Sequence, residues 1–450
     1  MREYSDRIEV SFWFAPLVAS VTAFILAHLM LWLDAILPNL PPGTFGLYYT
    51  GTAVMARAAL LGIAGTILAT TGVVFSLLTV PLSVAAGQYG SRLLRVYLKD
   101  PVTHRVLGIF VGAFIYCLTL GLSLPDHELG IEPPQIAMTV AILLVLAIFA
   151  SMIVLIHNIS VLLQAPNMIA AASQELRDVI RSYTPLEKYR PPEGPDQADR
   201  QRAEAALYQK LEQEGKPIIA ERVGYIQDIN PKMADLLERY PDLVVHFVRK
   251  PGDFIHPGDV IARVWPPQIS NPRMLRQIRY AYRLGNSRSP AQDIEYGVNQ
   301  LTEVALRAMS PAINDPFTTM TCLDHISAGI ALFAELVPRE AFFYDSEDKL
   351  RIIIDPLSYS ELLDAAFNML RAACRDNAEV LLCMLNNIDV LAQKDRLPEH
   401  RLELARQVRL IEMESQASSS VDWDKERVSG RCAGLLSKLE GNGETHARAV

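Results

Sequence analysis

The chain has 450 residues, 50% of them hydrophobic and 20% charged, with a formal net charge of −8 from 42 Lys and Arg against 50 Asp and Glu. Half-apolar composition excludes a disordered chain, and five cysteines in this length exclude a disulfide framework. The acidic balance speaks against nucleic acid as a partner.

Four apolar runs fill the first third: Phe12 to Leu33, Ala58 to Val80, Val106 to Leu124 and Ile136 to Ile156. None contains Asp, Glu, Lys or Arg. A hydrocarbon layer about 30 Å thick needs about 20 apolar residues at 1.5 Å per residue. A soluble helix of that length would carry a charged face. The runs predict four transmembrane helices, about 12–33, 58–80, 106–124 and 136–156, in a domain over 1–157. The first run reads as a retained anchor. It is long for a signal core, its flank Met1–Arg7 is mixed in charge, and Trp32, Leu33 and Asp34 offer no small-x-small cleavage site. Lys and Arg gather in the N-terminal tail (Arg2, Arg7), the middle loop (Arg92, Arg95, Lys99, Arg105) and after the fourth span (Arg177, Arg181, Lys188, Arg190). Both termini and the middle loop are therefore expected to be cytoplasmic. Trp13, Trp32, Tyr48 and Tyr49 stand near span ends, as interfacial aromatics do.

The second span carries the most information. Gly62, Gly65, Ala69, Gly72, Ser76, Thr79, Ser83, Ala86 and Gly90 recur at alternating spacings of three and four. That is one continuous small-residue face of a helix that can run past the bilayer, with a kink expected near Pro81. The residues from Gly62 to Ser83 would serve either close helix packing or the lining of a pore around a symmetry axis. Gly108 and Gly112 in the third span form a packing motif of their own. No ionisable group other than His28 falls within a span, unlike the proton-coupled transporters.

Residues 158–217 read as a helical linker region, with prolines 185, 191, 192 and 195 marking a loop. Residues 218–266 change to short β-type runs at 223–229, 243–248 and 260–265. Between the last two stand two Pro-Gly-Asp turns, at 251 and 257. The pattern suggests half of a lipoyl-like barrel-sandwich, without the exposed lysine that a carrier needs. Residues 267–414 are predicted mainly helical. A helix over 294–309 should stop before Pro311, and Asn314 or Asp315 should cap the next helix, with Pro316 at its first position. Gln292, Asp293, Tyr296, Arg307, Asn314 and Asp315 form the densest polar cluster. They would build either a structural turn or a site for a small ligand or ion. Cys322, Asp324 and His325 lack a second ligand pair at metal spacing. A hairpin is expected around Asp345–Lys349, a capping box at Ser358–Glu361, and a weakly ordered tail over 415–450. No phosphate loop, dinucleotide fingerprint, nucleophile elbow or zinc motif is present. The reading is therefore of a non-enzyme without cofactor or metal.

Four segments together resemble a bacterial family of predicted membrane proteins known as domain of unknown function 2254. They are Tyr89-Gly-Ser-Arg-Leu-Leu-Arg95, Thr103-His-Arg-Val-Leu-Gly-Ile-Phe-Val-Gly112, the Pro251-Gly-Asp-Phe turn, and Gln292-Asp-x-x-Tyr-Gly through Ser310-Pro-Ala-Ile-Asn-Asp-Pro316. The resemblance covers most of 10–410. It implies a multi-pass inner-membrane protein with a cytoplasmic region, and transfers no activity. The fold expected is an α-helical polytopic membrane domain plus a mainly α cytoplasmic region containing the small β module. Three functions fit: a homo-oligomeric channel or transport-related protein, a membrane-anchored sensor or scaffold without conduction, and an enzyme centred on Asp293 and Asn314.

Overall fold

The structure is a computed structural model. It describes residues 14–36, 49, 51–89, 100–127, 133–162, 164–183, 197–230, 232–336, 342–395 and 397–441. Trp13, Tyr48, Gly90, the basic residues Arg2, Arg7, Arg92, Arg95, Lys99, Lys188 and Arg190, and the proline-rich loop lie outside the described residues. The chain divides into two compact units, Met1–Met168 and Ile169–Val450.

The first unit contains α1 (Phe14–Ile36), α2 (Ala53–Tyr89), α3 (Pro101–Ser123) and α4 (Gln135–Leu162). They match the four predicted runs, with ends shifted by up to nine residues. All four are long and apolar enough to cross a membrane. The helix α2 runs unbroken through Pro81. The central element is α3, which buries Phe110, Tyr116 and Leu120 completely. Against it lies α1, where a Cβ added at Gly108 or Gly112 would stand 3.5 or 3.6 Å from Ala19 Cβ. Small residues on both helices thus bring the backbones close, which is what drives association where apolar burial gains nothing.

Polar side chains pin the helix ends. Asp100 opens α3 by accepting from the Thr103 N–H at 2.9 Å, and it also accepts from Asn158 Nδ2 on α4 at 2.7 Å. Asp34 of α1 accepts from the Ile136 and Ala137 N–H groups, both at 2.9 Å, and so caps α4. Arg57 pairs with Asp126 at 3.7 Å. The end of α1, the start of α2, the end of α3 and the start of α4 therefore share one side. That is an up-down order of the four helices.

The helix α5 (Ala165–Arg181) contains the boundary between the units. The second unit continues with α6 (Gln197–Glu214), β1 (Lys216–Ile219), β2 (Gly224–Ile229), α7 (Met233–Arg239), β3 (Val244–Phe247), β4 (Phe254–Ile255), β5 (Val260–Trp265), α8 (Pro272–Ala281) and β6 (Tyr282–Gly285). Then follow α9 (Ile294–Ala308), α10 (Pro316–Leu336), β7 (Phe342–Tyr344), β8 (Leu350–Ile354), α11 (Tyr359–Ala373), α12 (Ala378–Lys394), α13 (Pro398–Gln416) and α14 (Asp422–Gly441). The fold is mostly helical with a small mixed sheet system: a five-stranded sheet ordered β1-β5-β3-β8-β7 and a three-stranded sheet ordered β4-β2-β6.

The module expected at 218–266 is therefore not closed on itself. Its β3 pairs in parallel with β8, Val245 opposite Ile352, and the later hairpin completes the sheet. The two Pro-Gly-Asp turns do repeat each other. In each, the Asp N–H donates to the carbonyl three residues earlier, Lys250 or His256, at 3.1 Å. In each, the Asp carboxylate accepts from the N–H of that same residue, at 3.1 and 2.8 Å. Gly252 and Gly258 have φ of +99° and +100°, which explains the glycine at the second inner position.

By length and composition α10 also qualifies as a membrane helix, the fifth among the described residues. It lies in the helical part of the second unit and buries Cys322, Leu323, Ile326 and Ile330. The tail differs from expectation: α14 is a regular helix, and residues 442–450 lie outside the described residues. Val428, Cys432, Leu435 and Leu439 are buried on one face, and Arg431 and Lys438 bond Asp389 of α12. The 4-3-4 apolar spacing is ordinary helical amphipathicity.

Candidate functional site

On α2 the residues divide into two opposed faces. Ala56, Leu60, Ala64, Ile67, Val74 and Leu78 are buried. Gly62, Gly65, Ala69, Gly72, Ser76, Thr79 and Ser83 are all exposed on the single chain. At about 100° per residue the two sets centre about 150° apart. A Cβ added at Gly62, Gly65 or Gly72 would meet nothing within 4 Å. Among the described residues the small face thus packs against nothing in this chain; the opposite face does that. The hydroxyls of Thr79 and Ser83 donate to the carbonyls of Phe75 and Thr79, at 2.8 and 3.0 Å, so the face is small and weakly polar. Around it, Met55, Leu68, Val73 and Val80 are more than half exposed, as side chains meeting lipid would be. His28 is exposed on α1, bonded to the Phe24 carbonyl at 2.9 Å.

The polar cluster falls into two separate parts at the two ends of α9, about 21 Å apart at 1.5 Å per residue. At the start, Asp293 caps the helix, accepting from the Tyr296 N–H at 2.9 Å, and takes a two-pronged ion pair from Arg288 at 2.7 and 2.8 Å. Arg288 also reaches Glu295 at 3.2 Å, and its guanidinium lies 5.9 Å from the Tyr296 ring centroid. Burial opposes the Arg288 charge, but its hydrogen bonds to Asp293 and Glu295 outweigh that and hold it protonated above its ordinary range. Gln292 bridges to the backbone of Ile229, accepting at 2.9 Å and donating at 3.3 Å, and so extends β2.

At the far end Arg307 pairs with Glu303 at 3.2 Å. Asn314 takes a left-handed φ of +46°, its N–H bonded to the Ser310 carbonyl at 2.9 Å. Asp315 caps α10, accepting from the Thr318 N–H and hydroxyl at 3.1 and 2.6 Å, and the hydroxyl bond holds its carboxyl below the ordinary range. Asp293 and Asp315 are engaged within their own parts, and Asp293 does not meet Asn314. Nearby, Asp324 bonds Asn387 at 3.0 Å, and His325 Nδ1 lies 2.9 Å from Ser173 Oγ. No group of three His, Cys, Asp or Glu among the described residues is placed to hold a metal ion.

Sequence patterns do not single out His246, on β3. Its side chain is 1% exposed and lies 3.5 Å from Glu212 and 3.8 Å from Asp355, with neither ring nitrogen hydrogen-bonded. Arg263, itself 3.3 Å from Glu212, and the Tyr208 ring complete its surroundings. Burial lowers the imidazole pKa from its ordinary 6.5, against the pull of Asp355 and Glu212. A depressed folded value favours the neutral ring. The stability it confers is whole above pH 6.5 and is lost as pH falls from there to the lower folded value. In His246→Phe the melting temperature should lose that part of its fall across this interval, which melts at stepped pH would read.

The family model described as "Predicted membrane protein (DUF2254)" matches residues 9–389. An uncharacterized protein of Mycobacterium bovis and one of Mycobacterium tuberculosis are each 28% identical over 404 residues, covering 88% of this chain and 74% of theirs. No solved structure matches.

Proposed function

The chain belongs to the DUF2254 family of predicted membrane proteins, and on that premise we propose a homo-oligomeric channel or transport-related protein of the bacterial inner membrane. The observation that carries this reading is the uncovered small face of α2. A helix that packs on its own chain through one face and turns a seven-residue strip of Gly, Ala, Ser and Thr outward is suited to meet other backbones closely. Copies of α2 around an axis would then pack through this face or line a pore with it. Four helices, α1 to α4, span the bilayer, and α10 stays in the helical core of the second unit, where Asp324 and His325 have polar partners. Both termini are cytoplasmic, on the basis of the Lys and Arg distribution. The protein acts without enzymatic chemistry, and the β strands serve contacts, their lipoyl-like turns being without a carrier lysine.

A cysteine in place of Gly72 should cross-link between copies in native membranes, and Gly72→Leu should abolish assembly, ion flux from liposomes, or both. A strict monomer in detergent and in lipid would sink the proposal. Intact assembly without flux would select the second reading, a membrane-anchored sensor or scaffold, which the size of the second unit favours.

A further inference from the structure

Many arginines of the second unit stand in ion pairs. Arg263 pairs with Glu212, Arg279 with Glu221, Arg283 with Asp228, Arg288 with Asp293, Arg351 with Asp345 and Arg406 with Asp364. Between α7 and α8 runs a groove of about 500 Å³ where this pattern stops. Lys232 and Arg239 flank it on one side, Arg273 and Arg276 on the other. Among the described residues, none of these four side-chain cations enters a hydrogen bond or an ion pair. Asp235 is the one carboxylate lining the groove.

The spacing explains the geometry. Residues 232, 235 and 239 lie on one face of α7 and its approach, and 273, 276 and 280 on one face of α8. The opposite faces are buried, through Leu237 on α7 and through Met274 and Ile278 on α8. The two helices are therefore fixed by their apolar sides while their basic sides face a common space. The floor is apolar, from Met233 and Leu236, and Tyr280 stands at the rim, 62% exposed. Four cations around one carboxylate, Asp235, leave the groove strongly positive in a protein of net charge −8.

We propose that this groove binds a ligand carrying two or more phosphate groups. A single carboxylate brings one negative charge and leaves most of the site unneutralised. Phosphates bring more, and their oxygens match the planar fork of each arginine. The volume suits a small molecule or a lipid headgroup, and both sources present the same chemistry. The site lies within the second unit and does not depend on how α2 assembles.

The test uses the full chain in nanodiscs of phosphatidylcholine, titrated calorimetrically with inorganic pyrophosphate. A parallel sample holds equal parts phosphatidylcholine and cardiolipin. Amide exchange over residues 232–239 and 272–281 is followed in both. Pyrophosphate binding that slows exchange there, and that weakens as salt rises, supports a soluble phosphorylated ligand. Slowed exchange only with cardiolipin, whose headgroup carries two phosphates, supports a headgroup. In either case Arg273→Gln/Arg276→Gln should weaken the effect about tenfold or more, and so should Arg239→Gln on the facing helix. All three positions are exposed, so folding should be unaffected, which a melting curve checks. No effect of either probe, or an effect indifferent to these variants, overturns the proposal.

Discussion

Replacing Asp293 by Ala should destabilise the second unit by about 3–5 kcal/mol, the cost of breaking a buried ion pair from one side. The Asp293 side chain is 3% exposed and Arg288 21% exposed, so solvent cannot take over the lost partner. Arg288 would keep only Glu295, at 3.2 Å. The same carboxylate caps α9, and losing a cap costs about 1 kcal/mol by itself. The pair also supports the first Pro-Gly-Asp turn: a Cβ at Gly252 would stand 2.5 Å from Asp293 Oδ2 and 2.9 Å from Arg288 Nη2. Asp293→Asn keeps a cap without the charge and should fall between the extremes. Adding Arg288→Met to Asp293→Ala should recover part of the loss, because the orphaned charge goes too. Denaturant unfolding of the full chain in detergent reads all of these. A change below about 0.5 kcal/mol, the size usual for an ordinary surface position, would show that Asp293 is not structural and would return the cluster to the ligand-site reading.

Whatever depends on neighbours along the chain was legible in the sequence. Charge-free runs located α1 to α4, and Pro311, Asp315 and Pro316 marked the joint between α9 and α10. The Ser358–Glu361 capping box and the Asp345–Lys349 hairpin were readable from turn chemistry. What tertiary pairing decides was not readable. The parallel match of β3 with β8 joins segments about a hundred residues apart, and no local pattern reports it. Periodicity placed Gly62 through Ser83 on one face but could not say whether that face is covered; among the described residues it is exposed. Arg273 and Arg276 face Lys232 and Arg239 across the groove, a juxtaposition of segments about 40 residues apart that no local pattern reports. The polar residues from Gln292 to Asp315 were dense in sequence, yet a helix stood between their two halves. The ordered α14 is a different case: its apolar spacing was present, and its serine- and glycine-containing flanks concealed it.

Leu176 on α5 should be the most sensitive core position near the boundary of the two units. It is 1% exposed and sits in a notch made by two glycines on different helices. A Cβ at Gly297 of α9 would lie 2.8 Å from Leu176 Cδ1, and one at Gly329 of α10 would lie 2.7 Å from Leu176 Cδ2. The Gly297 position has less freedom, because Leu176 Cβ and Cα follow at 3.3 and 3.5 Å. A rotamer change cannot move those atoms, so α5 itself would have to shift. Gly297→Ala should therefore cost about 1–3 kcal/mol by overpacking, and Leu176→Ala about 2–5 kcal/mol by leaving a cavity. The double variant separates this account from mere glycine or leucine preference. If the notch and the side chain are complementary, Gly297→Ala/Leu176→Ala should cost clearly less than the two single losses together, because the new methyl enters the space that the leucine vacates. Strict additivity in denaturant melts would refute the complementarity. The consequence reaches past stability: α5 is the segment through which the chain passes from the first unit to the second, so the leucine between two glycines sets where along that helix the core of the second unit takes hold.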